Sequence, residues 1–173
     1  MTWTAIAYNL GKRVKPIWES NVLNFMQSTT DLSVPEIDNP LLVMDMGGIL
    51  RNRPDPFPLP SNPDKIYVDF GLIWGEDIID LIMSDRGKVV LPLRRLQGFE
   101  ELDSALAYAD DITIGIDWSQ IVEAEHPDFS IDIVKLLQQL HSRGQTDILI
   151  YSLTGECPYI PAGTAINLDI KLA

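Results

Sequence analysis

The sequence predicts an α/β or α+β fold: one globular domain over residues 1–173, with a mixed β-sheet of about five to seven strands and three to four packed helices. Three observations predict it. The chain has 173 residues, which suits one domain able to bury roughly 70% of its unfolded surface without a staple. Apolar residues make up 46% of it, ordinary for a globular protein and too many for a disordered one. Short apolar runs alternate with stretches of helical periodicity along much of its length.

The elements follow in chain order. WTAIAYNL (3–10) reads as a strand. IWESNVLNFMQS (17–28) reads as a helix, because Trp18, Val22, Phe25 and Met26 fall on one face at helical spacing. Residues 29–40 read as a loop broken by Pro35 and Pro40, and LLVMD (41–45) as a buried strand. Between Arg51 and Asp64 stand five prolines, Pro54, Pro56, Pro58, Pro60 and Pro63. Proline has no N–H and a fixed φ, so residues 51–64 form a stiff surface loop that is neither helix nor inner strand.

KIYVDFGLIW (65–74) reads as a second strong strand. EDIIDLIMS (76–84) fits a short helix, with a hairpin through the DRGK turn as the alternative over 76–93. KVVLPL (88–93) is a strand. FEELDSALAYA (99–109) is a helix with Phe99, Leu102, Leu106 and Ala109 inward, and ITIGID (112–117) is a strand. DFSIDIVKLLQQLHSRG (128–144) is the clearest helix: Asp128 or Ser130 caps it, Ile133, Val134, Leu137 and Leu140 form its stripe, and Gly144 stops it. His141 in its last turn complements the helix dipole. DILIYSL (147–153) and TAINLDIKL (164–172) are strands, the last an edge strand.

Charge and cysteine content bound the function. The formal charge is −12, a field that helps solubility and disfavours non-specific contact with nucleic acid. Three small basic groups punctuate it: Lys12, Arg13 and Lys15; Arg51 and Arg53; Arg94 and Arg95. The one cysteine, Cys157, cannot form an internal disulfide, which fits a reducing, cytoplasmic setting. No run approaches the roughly 20 apolar residues that span a bilayer, and the N-terminus lacks the charge order of a signal peptide, so no membrane partner is expected.

Three apolar strands end in or carry an aspartate: Asp45, Asp69 and Asp117. Carboxyl ends of strands line the ligand crevice of open α/β sheets, and converging carboxylates there suit Mg²⁺ or Mn²⁺. Each aspartate alone also fits a plain turn cap after a strand.

The segment Asp45-Met46-Gly47-Gly48-Ile49-Leu50 resembles the opening motif of haloacid-dehalogenase-like phosphatases, an apolar strand followed by Asp-x-Asp-Gly-Thr. That resemblance implies Asp45 as nucleophile, with Gly47 standing where the family has its acid, and Ser152 in ILIYSLTG as the phosphate-holding hydroxyl. The family's later acidic magnesium pair has no counterpart in the 21 residues after Ser152, which hold Lys171 and Asp169. IGIDWSQ (114–120, with Asp117) resembles the first strand of ribonuclease-H-like folds, but Pro127 and the capped helix arrive where that fold needs two more strands.

Other constellations are missing. No glycine-rich phosphate loop is present, two histidines and one cysteine are few for a zinc site, and no Gly-x-Ser-x-Gly elbow presents Ser119 or Ser152 to His126. The expected function is therefore non-catalytic: an acidic cytoplasmic module that binds a protein partner or sits as a small subunit in a larger assembly, without a cofactor. The proline-rich loop offers Arg51, Arg53 and Phe57 as candidate partner-binding residues, since arginine and aromatic side chains anchor interfaces. The alternative is a small Mg-dependent phosphohydrolase or nuclease using Asp45, Asp69 and Asp117 as metal ligands.

Overall fold

The computed structural model describes residues 3–19, 22–31, 39–55, 63–84, 86–152, 156, 158–161, 163 and 169–172. In chain order the elements are β1 (Thr4–Asn9), β2 (Lys12–Glu19), β3 (Val22–Asp31), β4 (Leu41–Asp45), α1 (Met46–Arg51), β5 (Ile66–Asp69), α2 (Ile78–Met83), β6 (Lys88–Pro92), α3 (Phe99–Tyr108), β7 (Thr113–Trp118), α4 (Ile133–Ser142), β8 (Asp147–Ser152) and β9 (Asp169–Leu172). The class is α/β, with four α-helices among the described residues. The described strands number nine rather than five to seven, in one mixed sheet ordered β3-β2-β1-β4-β5-β6-β7-β8-β9.

From β4 onward, neighbours in space are neighbours in sequence, and every pair from β1·β4 to β8·β9 is parallel. With crossovers of one hand, an order that never reverses sends successive connections to the same face. β/α barrels are wound this way, whereas the doubly wound sheets typical of nucleotide binders reverse at a switch point.

Alternation along the strands sorts the core into two layers. Leu41, Val43, Ile66, Val68, Leu91, Ile114, Ile116, Ile148 and Ile150 share one cluster with Ile78 and Leu81 of α2, Leu102 and Ala105 of α3, and Ile133, Leu136, Leu137 and Leu140 of α4. This is the helix-covered face. Leu42, Met44, Tyr67, Val90, Leu149 and Tyr151, one residue out of phase, form a second cluster with Met46 and Ile49 of α1 and with Val14 and Leu23 of the N-terminal hairpin. The sheet curls toward this second face. Tyr151 on β8 donates to Asp69 on β5 at 3.1 Å, although three strand spacings separate them, about 14 Å in a flat sheet.

The largest departure from sequence expectation is at residues 17–28, where an antiparallel β2–β3 pair replaces the expected helix. Glu19 pairs with Val22, Ile17 with Asn24 and Pro16 with Phe25. The same apolar residues satisfy a period of two, with Leu23 and Phe25 against the second core and Val22 and Met26 outward. β1 and β2 are joined by a two-residue turn in which Leu10 and Gly11 both have positive φ (51° and 75°). That turn twists with the strands it links.

Smaller departures have local causes. The helix over 76–84 forms as α2, preceded by a 3-10 turn at Gly75–Asp77, so the hairpin alternative over 76–93 does not occur. α4 is capped by Asp132, whose Oδ1 accepts from Val134 N (3.0 Å) and Lys135 N (3.2 Å), not by Asp128 or Ser130. Asp128 serves α3 instead, accepting from Phe99 N at 3.2 Å where Gly98 has no side chain to do so. Of the last expected strand, 164–168 lie outside the described residues and Asp169–Leu172 pairs with β8.

Candidate functional site

The three strand-end aspartates do not converge. β4 and β5 pair with Met44 opposite Asp69, so Asp45 is one residue past that level and faces the other side of the sheet. Asp45 shares the helix-covered face with Tyr8, its register partner on β1. Asp69 and Asp117 share the second face with Tyr67, Val90 and Tyr151. Among the described residues no group of three or more His, Cys, Asp or Glu side chains is arranged to hold a metal ion. The expected metal triad is therefore corrected to a pair, Asp69 and Asp117, with Asp45 apart; period-two alternation is the physical reason.

Asp45 is a structural cap. Its Oδ1 accepts from Gly48 N (3.1 Å) at the start of α1, and its Oδ2 accepts from Asp55 N (2.9 Å). Burial raises its pKa, while those two N–H donors and the Tyr8 hydroxyl hold it down. Asp55 continues the knot: its Oδ2 takes Leu10 N at 2.9 Å and pairs with Arg51 at 3.2 Å, and its carbonyl takes Arg86 Nη1 at 3.0 Å. Both glycines after Met46 are sterically required. A Cβ on Gly48 would lie 2.3 Å from the Phe70 carbonyl oxygen, and one on Gly47 would lie 2.5 Å from the Asp55 carboxyl carbon. The glycine pair that resembles a phosphatase motif thus lets α1 pack against its neighbours.

Asp69 and Asp117 are bridged by Arg94. The Arg94 Nε donates to Asp117 Oδ2, and its Nη2 donates to Asp69 Oδ2 and, at 3.2 Å, to the Tyr151 hydroxyl. Asp69 Oδ1 takes Gly71 N at 2.8 Å. Each of the four side chains sits at or just past the carboxyl end of a successive strand, β5 to β8, the end at which parallel β/α sheets bind ligands. All four are buried, Arg94 at 1% exposure. Gly115 makes the room: a Cβ there would lie 2.9 Å from the Tyr151 hydroxyl.

The electrostatics follow from one cation serving two carboxylates. Burial pushes Asp117 up to about 6, opposed by the Arg94 charge and hydrogen bond. Burial pulls Arg94 down, but Asp117 and Asp69 overcome it and hold the guanidinium well above its ordinary value. Burial together with the two carboxylates raises Tyr151, which stays a neutral phenol and donor. Two buried atoms, Arg94 Nη1 and Asp117 Oδ1, have no hydrogen-bond partner among the described residues. Arg94 also lines a cavity of about 190 Å³ with Leu23, Ile49, Arg95 and Glu125.

The loop candidates separate. Arg51 donates to Asn9 Oδ1 (2.7 Å) and pairs with Asp55, so it fastens the root of the loop to the β1–β2 turn. Arg53 is exposed, and its backbone N–H closes α1 onto the Gly47 carbonyl at 3.2 Å. Phe57 lies outside the described residues. Sequence reasoning named Arg94 only as one of a basic pair and missed Tyr151. The usable signals were a charge pair following the apolar run VVLPL and a tyrosine two residues after Leu149 on the same strand face.

No protein-family model matches the chain, and no curated protein matches it. Its class is therefore defined by architecture: an α/β protein with a curled, singly wound sheet and a buried Asp–Arg–Asp–Tyr cluster at the carboxyl ends of its strands.

Proposed function

We propose that this chain is a non-catalytic cytoplasmic module that binds another macromolecule or serves as a small subunit of an assembly. One observation carries the reading: the cluster at the ligand-binding end of the sheet is spent on itself. Arg94 occupies the space between the two carboxylates, and Tyr151 completes the set. A buried set that pairs internally holds a fold together, and opening it exposes unpaired charge. The acidic charge of −12 and the single cysteine support a soluble role in a reducing compartment, and among the described residues no helix is long and apolar enough to cross a membrane. Arg53 and Phe57 extend the proposal to the proline-rich loop, whose stiffness lowers the entropic cost of docking.

The second reading, a Mg-dependent phosphohydrolase or nuclease, is favoured by a different observation. Asp117 Oδ1 is the one carboxylate oxygen of the cluster without a partner among the described residues. Under that reading Asp69 and Asp117 would hold Mg²⁺ where they now hold Arg94, and the ion would supply a Lewis acid for a phosphate ester. Native mass spectrometry of the chain isolated from its own cells at low salt separates the two. The proposal expects a stoichiometric complex and no release of p-nitrophenol from its phosphate monoester with Mg²⁺. A solitary chain that turns that ester over with Mg²⁺, and loses the activity on Asp117→Asn, overturns it.

A further inference from the structure

We infer that the outer face of α2 is the docking surface for a basic, amphipathic segment of a different protein, in which Lys or Arg side chains flank apolar ones. This rests on the assembly-subunit reading and names the chemistry of the partner. α2 buries Ile78 and Leu81 in the helix-covered core. Ile79, Ile82 and Met83 stand at i, i+3 and i+4 and form a second apolar stripe on the same short helix, turned to solvent. Eleven large apolar side chains are exposed among the described residues, and four of them, Trp74, Ile79, Ile82 and Met83, fall within residues 74–83. A surface helix needs one apolar stripe to pack on its sheet. A second one, gathered with an exposed tryptophan, is the composition of an interaction surface.

Charge selects the occupant. From Phe70 to Asp85 the chain holds four acidic residues, Glu76, Asp77, Asp80 and Asp85, and no lysine or arginine. Glu76, Asp77 and Asp80 are exposed, and none of them enters an ion pair among the described residues. Asp77 and Asp80 line one cavity of about 310 Å³ with Pro54, Phe70, Leu72 and Leu81. Apolar walls beside two carboxylates fit a Lys or Arg side chain, whose alkyl stem packs on apolar surface while its head stays with the charges.

Pro54 also belongs to the proline-rich loop (51–64), so this cavity joins the α2 face to the loop of the proposed function. The other occupants are opposed by charge. A second copy, itself carrying −12, sets acid against acid. Nucleic acid and anionic headgroups meet the same repulsion from Glu76, Asp77 and Asp80.

Fluorescence anisotropy of the full chain with two labelled peptides tests the inference. One peptide sets Lys and Leu at amphipathic helical spacing; the other keeps its charge, with every Leu replaced by Ser. The Lys–Leu peptide is expected to bind, and the serine analogue about tenfold more weakly. Ile82→Gln with Met83→Gln, and separately Asp77→Asn with Asp80→Asn, are each expected to weaken the Lys–Leu peptide about tenfold, the scale of losing one interface anchor. Asp110→Asn with Asp111→Asn removes the same net charge from exposed positions outside the patch and is expected to leave binding unchanged. Melting temperatures like that of the wild type are expected throughout, because every substituted side chain is exposed. If the Ile82 pair lowers stability, Met83→Gln alone carries the same test, at 78% exposure. No binding, equal binding of the two peptides, or binding that neither patch variant weakens overturns the inference. An equal loss in the Asp110 and Asp111 variant shows attraction to net charge alone and overturns it too. A stoichiometric complex from the chain's own cells that persists in both patch variants overturns this inference and leaves the assembly-subunit reading standing.

Discussion

Asp45 and Asp117 look alike in sequence, each at the end of an apolar strand, and the fold uses them in opposite ways. Asp45 faces the helix-covered side, where backbone N–H groups of Gly48 and Asp55 satisfy its two oxygens within ten residues of chain. Asp117 faces the curled side, where its partner is Arg94 from a different strand end, shared with Asp69. A carboxylate met by local N–H donors is a cap, and its energetics are those of a turn. A carboxylate met by one distant, shared cation is part of a charge balance, and its energetics depend on all members. The difference shows that a strand-end aspartate is read correctly only once the face of the sheet is known.

The comparison breaks most sharply at Arg94. Arg94→Met leaves Asp69 and Asp117 buried without their cation and is expected to cost about 3–5 kcal/mol in urea unfolding. Adding Asp69→Asn and Asp117→Asn to that variant should restore most of the loss, since replacing a whole buried charged set is often neutral. A triple variant no more stable than Arg94→Met alone would show that Arg94 acts through packing rather than charge. On the other side of the sheet, Asp45→Ala removes the cap of α1 and the acceptor of Asp55 N–H. The expected loss is smaller, about 1–3 kcal/mol, and it should be nearly independent of salt. A loss as large as that of Arg94→Met would erase the distinction drawn here.

Much of the helical layer was legible in the sequence, and the reasons are local. α3 and α4 each carry an apolar stripe at helical spacing, and Leu102, Leu137 and Leu140 are buried as that stripe demands. The N-terminal hairpin was not legible, because Trp18, Val22, Phe25 and Met26 suit a helix while Leu23 and Phe25 suit a strand. Long-range pairing of β2 with β1 and β3 decided between the two periods, and no short window contains it. The cluster was half legible for the same reason. Asp69, Arg94 and Asp117 each stood out as charge beside apolar runs, but which of them share a face depends on register. The Asp132 cap of α4 lost to Asp128 and Ser130 in the reading because all three are good cap residues within five positions.

The most direct test of the central claim, that the buried cluster is closed upon itself, is a carbon-13 NMR titration of the Asp117 carboxyl with and without Mg²⁺. Burial raises the native pKa to about 6. The native state therefore holds this proton more tightly than the unfolded chain does. The stability contributed by Asp117 is then complete below the ordinary carboxylate range and is lost as pH rises through 6. The predicted result is a midpoint near 6 that Mg²⁺ at millimolar concentration leaves unmoved, with the slope of stability between about pH 4 and 6 reduced in Asp117→Asn. A midpoint that falls when Mg²⁺ is added would place a metal on Asp117, contradict the closed cluster and transfer the case to the phosphohydrolase reading.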